Sequence, residues 1–140
     1  MLRTMAAILG AALSVLLLDI LWLGLLMRDF VHQQLGPLLL EQPRLPAAAL
    51  FYLLYGAGVT VFAVHPALAI GAWQHAARQG ALLGLTCYMT YDLSNLATLK
   101  GWPVQFALVD ILWGGFVTTV AALAGYAASR ASILGAARLR

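Results

Sequence analysis

Long apolar runs broken by short polar clusters set the pattern of this chain. From Thr4 to Met27 nearly every position is apolar, and Arg28-Asp29 ends the run. A second run extends from Pro46 to about Val64, a third from about Gly80 to Leu99, and a fourth from Val104 to about Ala128. A helix crossing the hydrocarbon core of a bilayer needs about 20 residues, so each run predicts one spanning helix. The intervening segment Phe30 to Leu45 mixes Val31, Leu35 and the leucines 38 to 40 with His32, Gln33, Gln34, Glu41 and Arg44, and holds Pro37 and Pro43. That mixture predicts a connector lying at the interface rather than a further span.

Prolines and glycines place the breaks. Pro46 suits the first turn of a helix, where its missing amide proton is not needed. His65-Pro66 interrupts the second run, because proline disfavours helix at the residue before it. The second helix therefore either ends near residue 64 or continues to residue 73. Lys100-Gly101-Trp102-Pro103 predicts the turn between the third and fourth runs. The expected fold is all-α: one integral membrane domain over residues 1–140, a four-span antiparallel helical bundle with an interfacial connector after span one. Its spans are 4–27, 46–64 (or to 73), 80–99 and 104–128.

Composition agrees with the pattern. The chain is 63% hydrophobic and only 9% charged, whereas soluble domains carry about a quarter charged residues. The first apolar run is about 23 residues long and carries Asp19, which predicts a retained helix rather than a cleaved leader. A net charge of +3 raises the question of nucleic acid, but the basic residues are scattered around the span ends and form no patch. Membrane lipids are the expected partners. With four spans, Arg3, Arg78, Arg130, Arg138 and Arg140 share one side, and Arg28, Arg44 and Lys100 share the other. Five against three predicts both termini in the cytoplasm. The lone Cys87 excludes an internal disulfide, and His32, His65 and His75 lie near span ends. No metal and no cofactor is expected.

The informative polar positions are three of the five carboxylates, because they fall inside apolar runs. Two of them begin the same phrase, Asp-Ile-Leu-Trp-x-Gly, which runs from Asp19 to Gly24 and from Asp110 to Gly115; the third is Asp92. An ionised carboxylate in hydrocarbon costs roughly 2.5–3.5 kcal/mol on insertion scales, so each must be offset by partners, a proton or a ligand. Asp19 is nine residues before Arg28, Asp92 eight before Lys100, and Asp110 ten after it. At 1.5 Å rise per residue all three lie roughly 12–15 Å below one interface, near the midplane, and Tyr55 reaches the same level. Tyr88, Tyr91, Asp92 and Asn95 share a helical face by spacing, as do Asp19 with Trp22 and Asp110 with Trp113. Gly80-x-x-x-Gly84 continues the stripe and predicts close approach of a neighbouring helix.

No Lys or Arg falls within a predicted span, so donors to the carboxyls must come from Tyr52, Tyr55, Tyr88, Tyr91, Asn95, Trp22 and Trp113. Asp92 and Asp110, then Asp19, are the candidate reactive groups, and the aromatic and amide residues the candidate binding partners. Trp73 and Trp102, at span ends, read most simply as interface anchors. Several roles remain open for the cluster. It can bind or move a proton, a cation or a small polar molecule; it can act as acid and base on a lipid or isoprenoid; or it can clamp helices together, within a homo-oligomer or as an accessory subunit of a larger membrane complex.

The segment from Tyr88 through Tyr91-Asp92-Leu93-Ser94-Asn95-Leu96-Ala97-Thr98-Leu99-Lys100-Gly101-Trp102-Pro103 to Asp110-Ile111-x-Trp113-Gly114 resembles the signature of the DUF2177 family of bacterial membrane proteins. Asp19-x-x-Trp22 and Phe51-Tyr52-x-x-Tyr55-Gly56 extend the likeness over most of the chain. The resemblance implies a small bacterial inner-membrane protein with about four spans, and carries no catalytic assignment.

Overall fold

The computed structural model describes the backbone of residues 1–138 and the side chains of residues 1–132. Arg138 and Arg140, which weigh in the predicted orientation, lie outside the described side chains. Described elements are helical: α1 (Leu2–Leu21), α2 (Arg28–Leu35), α3 (Leu45–Val59), α4 (His65–Ile70), α5 (Trp73–Thr98) and α6 (Val104–Arg138). Wide π-helical turns extend α1 through Trp22–Leu26 and join α3 to α4 through Thr60–Val64.

Three stretches of the described residues are long and apolar enough to cross a membrane: Leu2–Leu26, Leu45–Ile70 and Val104–Ser132, with mean hydropathies of 2.3, 1.9 and 1.8. At 26 residues, α5 is about 39 Å long, but Gln74, His75, Arg78 and Gln79 in its first turns make it more polar. Helix α5 thus starts at Trp73, seven residues before the predicted span, and the turn that precedes it is Gly71-Ala72, with Gly71 in the left-handed region at φ 69°. Pro66 does not end the second helix. A proline ring collides with the carbonyl four residues earlier, and the wide turn just before His65 opens the ladder where that collision falls.

Packing is inverted relative to a soluble protein. Buried positions are small: Ala7, Ala11 and Val15 on α1, Val59, Ala63, Val64 and Ala67 on the second helix, and Val117, Ala121 and Ala122 on α6. Large apolar side chains face outward, among them Leu13, Leu17, Leu53, Phe62, Leu112 and Phe116. Small residues let helix backbones approach closely, which is how helices associate where lipid removes the hydrophobic drive between them. Added Cβ atoms at Gly80 and Gly84 would collide with α6 backbone, the first 2.8 Å from the Thr118 carbonyl oxygen and the second against that of Gly114. Gly56 meets Ile8 and Ala12 of α1 in the same manner, and Gly10 meets Ala124 and Ala128 of α6.

After α1 the connector forms α2, a short 3-10 turn at Gly36–Leu38, and an extended stretch into α3. Phe30 of α2 stacks with Phe106 of α6, their centroids 6.5 Å apart, so the connector folds over one end of the helices.

Candidate functional site

The two copies of the repeated phrase meet. Trp113, from the second copy on α6, donates its indole Nε1–H to Asp19 Oδ1 of the first copy on α1, at 3.1 Å. Trp22, one helical turn beyond Asp19, lies flat on Trp113 with centroids 4.3 Å apart and planes within 3°. Stacking fixes the indole, and the fixed indole aims its donor at the carboxylate. The Tyr52 hydroxyl of α3 lies near the same carboxyl. Asp110, the first residue of the second copy, takes no part in this exchange and turns toward α5.

On that side Asp110 comes within hydrogen-bonding reach of Asp92. Asp92 is fully buried, and its Oδ1 accepts the indole N–H of Trp102 at 3.2 Å. Its Oδ2 is buried with no donor from any described nitrogen or hydroxyl. The Asp110 carboxyl is a close polar neighbour of Asp92. Two carboxyl groups form a hydrogen bond with each other only when one carries a proton, since an ionised carboxylate is an acceptor alone. A direct bond between Asp92 and Asp110 would require one proton shared by the pair.

Asp19 is close enough to Asp110 for their charges to interact, so α1, α5 and α6 bring all three carboxyls into one region. Counted from the helix ends at Leu26, Thr98 and Val104, they lie about 9–11 Å inside. They share a level, as the spacing predicts, but sit nearer the connector end than the polar residues Arg28 and Lys100 suggest.

Above the pair an aromatic row closes that end. Trp102 meets Tyr91 edge-on at 5.7 Å and Phe106 edge-on at 5.8 Å, and Phe106 passes the contact to Phe30. Trp102 is thus a partner of the site rather than only an interface anchor. The turn explains it: Gly101 adopts φ 77°, which sends the chain back over the helix end and lays the indole on Asp92.

The tyrosines divide. Tyr55 and Thr118 share a hydroxyl–hydroxyl bond of 2.6 Å, and Tyr88 packs its ring on the bare backbone of Gly114. Tyr91 leans outward, 53% exposed. Phe51, Tyr55, Cys87, Tyr88 and Tyr91 line a cavity of about 440 Å³. Among the described residues no group of three His, Cys, Asp or Glu is arranged to hold a metal ion.

Thr118 and Trp102 are the two participants that sequence reasoning misses. Thr118 carries a weak signal, since it falls eight residues after Asp110 on the face that also presents Gly114.

A family model described as a predicted membrane protein (DUF2177) matches residues 4–127. No curated protein matches the chain, and no solved structure does.

Proposed function

The chain belongs to the DUF2177 family of predicted membrane proteins, and on that premise we propose that it holds and exchanges a proton within the bilayer at the Asp92–Asp110 pair. The proposal places the protein in a bacterial inner membrane as a four-span antiparallel bundle with both termini cytoplasmic. Contact registers support the bundle, because Gly80 meets Thr118 and Ala122 of α6 while Gly84 and Tyr88 meet Gly114. Residue numbers rise along α5 as they fall along α6, which supports the reading that α5 runs antiparallel beside α6 and crosses with it.

The observation that carries the proton reading is Asp92 Oδ2, buried and without a hydrogen-bond donor, in a residue whose close neighbour is the Asp110 carboxyl. A structural clamp is better served by a donor such as Asn or Ser, which needs no shared proton. Asp19, held by Trp113, is the third carboxyl that a proton leaving the pair encounters.

The test compares wild type with Asp92→Asn and Asp110→Asn. Either amide can donate to the remaining carboxyl, so both variants are expected to fold. Infrared difference spectra between H2O and D2O should show the carbonyl band of a protonated carboxyl in wild type and lose it in both variants. Proteoliposomes given an external acid step should take up protons only with wild type. An unchanged band and equal uptake in all three proteins would remove the proton role.

A second reading draws on the cavity between α3 and α5. Three tyrosines and Phe51 give this cavity of about 440 Å³ an aromatic wall, and Asp92 directly follows the lining residue Tyr91, which suits an acyl or isoprenoid chain whose reactive end meets an acid and a base. On this reading cells with and without the gene differ by one modified lipid species. Identical lipid extracts would discard it.

A further inference from the structure

At the end of the helices opposite the carboxyls lies a cavity of about 520 Å³ that the proposed proton chemistry does not use. Its lining includes Arg3 and Thr4 from the start of α1, His65 from the head of α4, and Tyr126, Ser129 and Arg130 from α6. Two guanidinium groups thus face one space, and none of the chain's five Asp and Glu residues lines it. The nearest acidic residue along α1 is Asp19, sixteen residues after Arg3 and so about 24 Å away along the helix.

Two features make this a shaped site rather than two loose cations. Arg130 is held against Tyr126: its Nη1 donates to the tyrosine hydroxyl at 3.3 Å, and its Cζ stands 5.8 Å from the ring centroid. Ser129 is fully buried, and its Oγ has no hydrogen-bond partner among the described residues. A buried hydroxyl is nearly always paired, and Ser129 is among the residues that line the cavity. A serine on a helix ordinarily bonds back to a carbonyl of its own preceding turn, as Thr60, Thr86 and Thr119 do here. Ser129 leaves that option unused.

We infer that this cavity binds a phosphate-bearing anion, with Arg3 and Arg130 supplying charge and the Ser129 hydroxyl donating to a phosphate oxygen. Guanidinium groups suit phosphate because their paired N–H donors match two of its oxygens. Thr4 and the His65 ring offer further polar contacts, and the volume exceeds what one phosphate fills, leaving room for the group esterified to it. The same chemistry is presented by an anionic lipid headgroup and by free phosphate.

The experiment measures binding to purified protein in a neutral detergent by the shift in apparent Tm. Three probes are added in turn: dioleoyl phosphatidylglycerol, dioleoyl phosphatidylcholine and inorganic phosphate. Wild type should be stabilised by the anionic lipid more than by the zwitterionic one. Stabilisation by inorganic phosphate as well assigns the site to phosphate in general, and its absence assigns the site to the lipid headgroup. Arg3→Gln with Arg130→Gln, and separately Ser129→Ala, should each weaken the effect roughly tenfold or more in concentration, the loss of one or more charge-assisted hydrogen bonds. Arg78→Gln, exposed and outside the cavity, should leave it unchanged. If Arg78→Gln weakens binding as much as the cavity variants do, the effect is diffuse surface charge and the site is refuted. A wild type that responds equally to both lipids and not to phosphate refutes it too.

Discussion

At the scale of single residues, the indole donor of Trp102 separates two tryptophans that sequence position alone groups together. Trp73 and Trp102 both flank a span, and the usual account makes both interface anchors. Trp73 is 54% exposed, while Trp102 reaches inward to Asp92. Removing the donor but keeping a ring should therefore discriminate. Trp102→Phe leaves a buried carboxyl oxygen unpaired and should cost about 1–3 kcal/mol. Trp73→Phe should change stability by less than about 0.5 kcal/mol. Chemical unfolding of both variants in one detergent measures the difference, and equal small effects would return Trp102 to the anchor role. Position in sequence shows that a tryptophan lies near an interface, but not which way a left-handed glycine beside it turns the chain. Asp19, Asp92 and Asp110 were legible as a cluster because helical rise converts spacing into depth. Their separate partners were not legible, since a choice between Trp22 and Trp113 depends on how two helices face each other.

Helices show the same division between what local rules reach and what packing decides. The buried line of α5 follows every fourth residue, through Ala76, Gly80, Gly84 and Asp92, with Tyr88 on the same line. Its small members press against the α6 backbone. Tyr91, three residues after Tyr88, falls beside this line and turns outward, although a three-or-four spacing rule puts both on one face. Pro66 shows the converse, because the rule that proline ends a helix was overridden by a widened turn that keeps the second helix going to Ile70. The glycines make the element scale testable. A side chain at Gly84 collides with backbone carbonyl, which cannot move aside as a flexible side chain can, whereas Gly58 faces open space. Gly84→Leu should separate α5 from α6 at the upper end of the roughly 1–3 kcal/mol that overpacking costs, and should part Asp92 from Asp110. Gly58→Ala should be neutral or stabilise by about 0.5–1 kcal/mol, since alanine is the better helix former. Apparent Tm values for the two variants test this, and a Gly84→Leu protein as stable as wild type would show that the helices do not touch there.

For the molecule as a whole, α5 is the element on which the topology turns. Three stretches of the described residues are long and apolar enough to cross, whereas α5 spends its first turns on Gln74, His75, Arg78 and Gln79. Hydropathy scores a segment as if lipid surrounded it, and α5 is not so surrounded: its small residues press on α6, and Asp92 is hidden by Trp102 and Asp110. A helix whose polar groups are covered by neighbours crosses at lower cost than its own composition states. Since α5 lies along α6 from Gly80 to Asp92, Arg78 and Lys100 should emerge on opposite faces. Single cysteines placed at Arg3, Arg44, Arg78 and Lys100, all exposed, in a Cys87→Ser background can be labelled by a membrane-impermeant maleimide in right-side-out and inverted vesicles. Arg44→Cys and Lys100→Cys should react from one face, Arg3→Cys and Arg78→Cys from the other. If the cysteines at 78 and 100 react from the same side, α5 does not cross, and the Asp92–Asp110 pair lies at a membrane surface where bulk water supplies its proton.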